Sequence, residues 1–190
     1  MDLLSRCRGL PWPLVLAVAF AGMGAAPPPP APAANEYEVK AAVLDNLAKF
    51  VDWPPEAATG PLGICVVGQD PFGRALDDVV RGKPINGREV VVKRFKPGQE
   101  LTGCHIVFIG SSEKNKLRSI LDRLDNRPVL TVGDMPGFCD EGGTVSLDLA
   151  DNRVGLTINL QAAERARLQL SSKLLSLATI VHKGGHGTLR

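Results

Sequence analysis

Three short, mostly apolar runs constrain the fold of this 190-residue chain most strongly. They are Leu62 to Val67, Cys104 to Ile109 and Pro128 to Val132, and each is followed by a glycine and a polar residue. Continuous runs of this length indicate strands that are covered on both faces, as in a parallel sheet. Because helical segments separate the runs, the order predicts an α/β fold.

Helical periodicity and turn signals place the other elements of the N-terminal half. Helices are predicted over Tyr37 to Trp53, Asp70 to Val80 and Lys114 to Leu124. Asp70 is expected to cap the second helix, with Pro71 at its first position. A further strand is predicted over Glu89 to Phe95, directly after an Asn86-Gly87 turn.

The C-terminal third follows a different pattern. Thr144 to Leu149 and Arg153 to Leu160 alternate apolar and polar residues, which predicts an antiparallel hairpin with Asp151-Asn152 as its turn. Two helices are predicted to follow, Gln161 to Leu170 and Ser172 to Val181. The complete prediction is a mixed, mostly parallel sheet with helices on both faces, a three-layer sandwich that ends in a hairpin and helices.

The first residues have the pattern of an export segment. Arg6 and Arg8 precede an apolar stretch from Leu10 to Met23, and a proline-rich stretch follows. This order is typical of a signal peptide, so we expect the mature protein in a bacterial periplasm, without direct insertion into the membrane. The expected organisation is a leader over residues 1–34, one domain over residues 35–182 and a flexible tail over residues 183–190.

Charge and motifs exclude several classes of function. Lys and Arg number 22 against 20 Asp and Glu, so the chain lacks the basic excess of a dedicated nucleic-acid-binding protein. The sequence has no Gly-x-Ser-x-Gly and no His-Glu-x-x-His motif. A zinc site built from Cys104, His105 and Cys139 has no ligand spacing behind it. We therefore expect no catalytic residue, no metal and no cofactor.

Polar residues in the turns after the three apolar runs are candidates for a small-ligand site. Asp70, Ser112 and Asp134 stand in these turns. In open α/β sheets, ligands bind outside the carboxyl ends of the strands, which makes a crevice for a small ligand or an anion one interpretation. The simpler interpretation, which the pattern favours, is that these residues cap helices while neighbouring glycines allow tight turns.

Two of the three cysteines after the leader fall on strands of the predicted sheet. Cys65 lies in the first apolar run and Cys104 opens the second, so pairing of these strands would bring the two within disulfide range. Such a bond stabilises by about 4 kcal/mol in the chain-entropy model. Cys139 is left over, and three roles stay open for it: a buried structural thiol, a reactive thiol or a bridge between two chains.

Taken in order, several segments resemble the YfiR family of periplasmic regulators. They are Tyr37 to Leu44, Phe50 to Pro54, Ile64 to Gly73, Cys104 to Ile109, Val129 to Asp134, Ile158 to Leu160 and Leu170 to Ala178. Each segment alone is weakly specific, but the ordered set covers nearly the whole chain after the leader.

The resemblance implies a non-enzymatic α/β protein that binds the periplasmic sensor domain of a YfiN-like inner-membrane diguanylate cyclase and holds it inactive. Cyclic di-GMP and biofilm formation fall as a result. It also implies a homodimer, and relief of the inhibition by redox state and by an outer-membrane lipoprotein. The alternative hypothesis is a periplasmic small-ligand-binding module coupled to another membrane partner.

The resemblance also bears on the cysteines. It implies one disulfide between Cys65 and Cys104, and a second between Cys139 and a cysteine just downstream. This chain has no cysteine there, and Ser146 is the expected replacement. A redox switch that uses the second bridge could not operate in the same way here, although Cys139 could still pair between two chains.

Overall fold

A computed structural model describes residues 32–150 and 153–182, with side chains from residue 36 onward. In chain order its helices and strands are α1 (Pro32–Lys49), β1 (Val51–Asp52), β2 (Leu62–Val67), α2 (Arg74–Val80), β3 (Val90–Phe95), β4 (Ile106–Ile109), α3 (Leu117–Leu124), β5 (Leu130–Gly133), β6 (Val145–Ala150), β7 (Arg153–Asn159), α4 (Leu160–Arg165), β8 (Gln169–Leu170), α5 (Ser172–Leu175) and β9 (Thr179–Val181). Short 3-10 turns cover Pro55–Ala57 and Ser111–Lys116.

The described strands form one seven-stranded sheet and one small ribbon. The order in the large sheet is β3-β2-β4-β5-β6-β7-β9, and β1 pairs with β8 in the ribbon. Within the large sheet only β6 and β7 pair antiparallel; the other neighbours are parallel. The three apolar runs supply the adjacent strands β2, β4 and β5, with Val66 opposite Phe108 and Phe108 opposite Val132. The predicted mixed, mostly parallel sheet is confirmed.

Helices cover both faces of the sheet. Successive residues of a strand point to opposite sides, so strands that are apolar throughout give the sheet two apolar faces that must be buried. Val66 and Phe108 are buried in a core with residues of α1 and α2 on one face. Cys65 and Val107 are buried against α3 on the other face. Each large aliphatic side chain removed from water in this way contributes about 1.5–3 kcal/mol. The three-layer arrangement therefore follows directly from strands that are apolar on both sides.

The first predicted helix is too long at its C-terminal end. The helix ends at Lys49, and Val51–Asp52 pair antiparallel with Gln169–Leu170 as a short strand. Pro54 disfavours helical geometry in the residue before it. Ser171 N–H donates to the carbonyl of Phe50 at 3.0 Å, which supplies that segment with a backbone partner from the other end of the chain.

The next two predicted helices begin later than expected. Phe72 N–H donates to Asp70 Oδ1 at 2.8 Å, so Asp70 closes a turn instead of capping α2. The chain then passes through Gly73 at a φ of 53°, which a glycine adopts without strain, before α2 begins at Arg74. The prediction of a helix from Lys114 is also wrong at its start, because Ser111–Lys116 is a 3-10 turn and α3 begins at Leu117.

The predicted hairpin is present as β6 and β7, but the two long helices after it are not. The first is shortened to α4, because the chain reverses at Arg167 with a φ of 55°. In place of the second, α5 ends at Leu175 and Thr179–Val181 adds a strand parallel to β7. The Asp151-Asn152 turn, most of the leader and the tail over residues 183–190 lie outside the described residues. Helix α1 begins at Pro32, inside the predicted leader.

Candidate functional site

The carboxyl ends of β2, β4 and β5 carry the three residues that the sequence offers either as helix caps or as candidates for a small-ligand crevice. These strands are parallel neighbours, so the turns that follow them lie at the same edge of the sheet. Two of the turns are in direct contact, since Gln69 N–H donates to Ser112 Oγ at 3.0 Å. This places Asp70 and Ser112 on adjacent loops.

Asp134 is held by helix α1. Its carboxylate Oδ2 accepts hydrogen bonds from Tyr37 Oη and from Lys40 Nζ, each at 2.9 Å. The side chains of Lys40 and Asp134 are only 3% and 4% exposed, and Lys40 also pairs with Glu36. Burial, followed by the bond to Asp134, raises the pKa of Tyr37. Removing one member of such a buried ion pair leaves an uncompensated charge and costs about 3–5 kcal/mol.

Asp70 belongs to a more exposed ion-pair network. Arg94 Nε donates to Asp70 Oδ2 at 2.7 Å, and the same guanidinium binds both carboxylate oxygens of Asp77. The hydrogen bonds from Arg94 lower the pKa of Asp77. Because Arg94 is more than a third exposed, solvent screens these contacts and each contributes about 0–1 kcal/mol. The network fixes the turn between β2 and α2 to β3.

Ser112 is packed tightly against the first turn. A Cβ added at Gly68, which has a φ of 91°, would lie 2.6 Å from Ser112 Oγ and 2.7 Å from Glu113 Cγ. Ser112 Oγ also lies 3.1 Å from Glu113 Oε1, to which it donates. The favoured interpretation of these residues as helix caps is therefore wrong, because Gly73, Gly110 and Lys116 stand at the cap positions of the helical segments that follow β2 and β4, and no described helix begins at Asp134. All three candidate residues instead have partners elsewhere in the chain. Asp134 Oδ1, which is buried, has no hydrogen-bond partner among the described residues.

The two cysteines on adjacent strands are joined. A disulfide links Cys65 in β2 to Cys104 just before β4, with the two Cα atoms 5.7 Å apart. Both residues are buried, at 0% and 7% exposure. Gly63 allows this close approach, since a Cβ there would lie 1.9 Å from the carbonyl oxygen of Gly103.

Cys139 is a free thiol buried under the hairpin. Its Sγ lies 3.4 Å from the carbonyl oxygen of Thr157, the residue paired with Ser146 across the hairpin. Desolvation by burial raises the pKa of the thiol to about 12, against the smaller effect of backbone hydrogen bonds from Ser146 and Asn159. A thiol in this state is poorly reactive, because the thiolate is the nucleophile. Of the three roles that the sequence leaves open for Cys139, the geometry fits a buried structural thiol.

His105 has a structural role that the sequence does not reveal. Its Nδ1 accepts from Gly63 N–H at 3.0 Å, so the neutral ring carries its proton on Nε2, which lies 2.9 Å from the carbonyl oxygen of Ala57 and 2.8 Å from Arg88 Nη2. Burial lowers the pKa of His105, so the neutral ring is favoured. The only hint of this role in the sequence is that His105 follows Cys104 directly in a predicted apolar strand. Among the described residues, no group of three or more His, Cys, Asp or Glu side chains is arranged to hold a metal ion.

Solved structures share this fold at low sequence identity. A conserved domain protein from Vibrio cholerae O1 biovar El Tor str. N16961 matches with a TM-score of 0.53 and 12% identity, over 76% of this chain and 59% of that one. The ABC domain from Streptococcus pneumonia, in complex with L-Trp, matches with a TM-score of 0.50 and 9% identity, over 79% of this chain and 60% of that one. The chain thus spans about three-fifths of the length of these structures.

A search of curated proteins found no match. The model of the YfiR/HmsC-like family, in contrast, matches residues 37–179, from the first turns of α1 to the start of β9. The match covers the sheet, the helices on both faces, the Cys65–Cys104 bridge and Cys139. The chain therefore belongs to the YfiR/HmsC-like family, whose members are regulatory and non-catalytic proteins.

Proposed function

We propose that this protein is a periplasmic repressor: as a homodimer it binds the sensor domain of an inner-membrane diguanylate cyclase and holds the cyclase inactive. Cyclic di-GMP and biofilm formation then fall. The observation that carries the proposal is the family match over residues 37–179, together with the resemblance of the ordered sequence segments. The signal-peptide pattern of residues 1–34 supports export to the periplasm.

The architecture suits a protein that acts by contact. An inhibitor of this kind needs a rigid surface that binds one state of its partner more tightly than the other, by about 5.5 kcal/mol for a decisive shift. The polar residues at the strand ends are engaged within the chain, which makes that end of the sheet rigid. Within residues 32–150 and 153–182, every helix is too short or too polar to cross a membrane.

Deletion of the gene tests the proposal in cells. Cyclic di-GMP should rise in the deletion strain and return to its original level when the intact gene is supplied from a plasmid. The matched control is a strain that also lacks the cyclase, in which deletion should change nothing. Unchanged cyclic di-GMP after deletion, under both oxidising and reducing growth conditions, would contradict the proposal.

Redox modulation, which we include in the proposal, would act through Cys65–Cys104, the disulfide of the described residues. Both sulfurs are buried and Cys139 is poorly reactive, so reduction requires local opening of the β2–β4 pair. A strain carrying Cys139→Ala should therefore keep its normal response to reductant. Loss of the response in that strain would reassign the redox role to Cys139.

A second candidate function is a periplasmic small-ligand-binding module coupled to another membrane partner. The buried and unpartnered Asp134 Oδ1 at the strand ends favours it, because a ligand donor would satisfy that oxygen. Thermal shift measurements with amino acids, including L-tryptophan, nucleotides and vitamins test this function. This function would be contradicted if no compound in the panel changed the melting temperature of either the natural protein or Asp70→Asn.

A further inference from the structure

Positive charge is concentrated in one part of the chain, between β3 and the turn after α3. Residues 93–127 carry eight Lys and Arg side chains against four Asp and Glu, a net charge of +4. The whole chain has 22 against 20, so the other residues carry 14 against 16, a net charge of −2. The near neutrality of the whole sequence therefore conceals a basic segment, which an anionic partner could recognise.

The fold gathers these cations on the face of the sheet that α3 covers. The loop over residues 96–103 lies beside α3, because Leu101 of the loop is buried in the same core as Leu124 of the helix. Arg127 Nη2 also donates to the carbonyl oxygen of Leu101 at 2.9 Å, which ties the end of α3 to the loop. Six cations stand on these two segments or at their ends, and we call them the basic face: Lys93, Lys96, Lys114, Lys116, Arg123 and Arg127.

Five of the six cations of the basic face have no carboxylate partner within the described part of the chain. The sixth, Lys116, has its Nζ 3.9 Å from Oε2 of the buried Glu113. On the opposite flank of α3, along a second cavity that Glu141 also lines, the charges are instead paired: Arg118 with Asp122, and Arg165 with Asp125. The cations of the basic face are therefore available to an anion from outside the chain.

A cavity of about 310 Å³ lies within the basic face, between the loop and the C-terminal end of α3. Gly98 to Leu101 line it from the loop, and Arg123, Leu124 and Arg127 line it from the helix and the turn that follows. The planar guanidinium of arginine matches the geometry of phosphate oxygens and binds them in pairs. Two arginines against the single carboxylate of Glu100 leave the lining net positive. The volume is at the low end for ligand pockets, which suits a headgroup rather than a whole lipid.

We propose that the basic face binds the phosphate headgroups of anionic phospholipids, with one headgroup in the cavity that Arg123 and Arg127 line. The acyl chains stay in the bilayer, so the contact is peripheral. A single soluble phosphate would need the cavity alone, whereas six cations spread over two segments match a surface that presents many phosphates. This proposal rests on the proposed function, which places the protein beside the inner membrane. Adsorption there would raise its effective concentration near the sensor domain of the cyclase.

Sedimentation of the purified protein with lipid vesicles tests the proposal. Vesicles that contain phosphatidylglycerol should carry the protein into the pellet, and vesicles of phosphatidylcholine alone should not. Binding should disappear at about 1 M salt, where the Debye length falls to about 3 Å. The vesicles contain no cyclase, so the outcome does not depend on whether a cyclase is regulated. Equal binding to both kinds of vesicle, or to neither, would overturn the proposal.

A competition experiment separates the membrane from a soluble phosphate. Inorganic phosphate and sodium chloride are added to the phosphatidylglycerol vesicles at matched ionic strength, and both should release the protein to the same extent. Release by phosphate at an ionic strength where chloride has no effect would assign the cavity to a soluble phosphate and overturn the membrane contact.

Charge reversal locates the surface. Each Lys or Arg near an anionic leaflet strengthens binding about fivefold, so Arg123→Glu, which replaces a positive charge with a negative one, should lower the partition coefficient about 25-fold. Lys96→Glu should give a similar loss. The matched control, Arg74→Glu, changes an exposed arginine of α2 on the opposite face and should leave binding unchanged. Melting temperatures establish that each variant is folded. Equal losses in Arg123→Glu and Arg74→Glu would show a response to net charge alone and overturn the proposed surface.

Discussion

The bridge region around Cys65 and Cys104 and the thiol region around Cys139 and Ser146 use different means to hold neighbouring segments. In the bridge region a covalent bond ties β2 to the residue before β4. In the thiol region Cys139 contacts the hairpin carbonyl of Thr157 and stays unpaired. The comparison shows two roles for a buried cysteine. In a disulfide it links two segments covalently and can be reduced, whereas as a desolvated free thiol it only fills apolar space and reacts poorly.

Removing the bridge should have the largest effect. Replacing both Cys65 and Cys104 with alanine should lower the free energy of unfolding by about 4 kcal/mol, because a loop of this length is no longer constrained in the unfolded chain. Denaturant titration measures the change. The matched variant Cys139→Ala removes one buried sulfur and should cost about 1 kcal/mol. If the free energy of unfolding fell equally in the two variants, the disulfide would not stabilise the fold more than the buried thiol does, contrary to this account.

A second disulfide introduced at Cys139 should hold the thiol region covalently, as Cys65–Cys104 holds the bridge region. The backbone N–H of Ser146 already contacts the Cys139 thiol, so Ser146→Cys introduces a second sulfur on a neighbouring residue. Closing this short loop should raise the free energy of unfolding by about 2 kcal/mol. Mass measurement without reductant should show the loss of two further hydrogens. The same substitution combined with Cys139→Ala is the control and should give no gain. Two free thiols in the oxidised Ser146→Cys protein would show that the two backbones are badly placed for a bond.

The bridge region should lose stability on the acid side. Burial holds the pKa of His105 below its ordinary value of 6.5, so below that pH the unfolded chain binds a proton that the folded chain does not. The stability from His105 is complete above pH 6.5 and is lost as the pH falls toward the lowered pKa. Urea midpoints between pH 7.5 and 5 should fall more for the natural protein than for His105→Gln. Parallel curves would remove this role.

The thiol region should lose stability at alkaline pH. Near neutral pH this effect should be the smallest of those predicted. Burial raises the pKa of Cys139 from 9.0 to about 12, so its contribution is complete below pH 9 and is lost as the pH rises toward 12. The slope should be shallower in Cys139→Ala. Tyr37, whose pKa is also raised, is present in both proteins and cancels in the comparison. An identical alkaline slope would show that the thiol is not desolvated.

The parts of this structure that depend on local pattern could be predicted from the sequence. Leu62–Val67 is apolar throughout and forms β2 as predicted. Thr179–Val181 was predicted as helix but forms β9, because its pairing with β7 depends on residues about 20 positions away. The same limit applies to Asp134 at the site. Its ion-pair partner, Lys40, lies 94 residues earlier, and no local sequence pattern indicates that the two form a buried pair.

The central claim, repression of a membrane cyclase by direct contact, is tested most directly in vesicles. Right-side-out inner-membrane vesicles that carry the cyclase can be loaded with GTP, and the oxidised purified protein is added outside. The account predicts that cyclic di-GMP synthesis falls to a plateau as the protein saturates the cyclase, and that vesicles whose cyclase lacks its periplasmic domain do not respond. Synthesis that is unchanged at every protein concentration would contradict it.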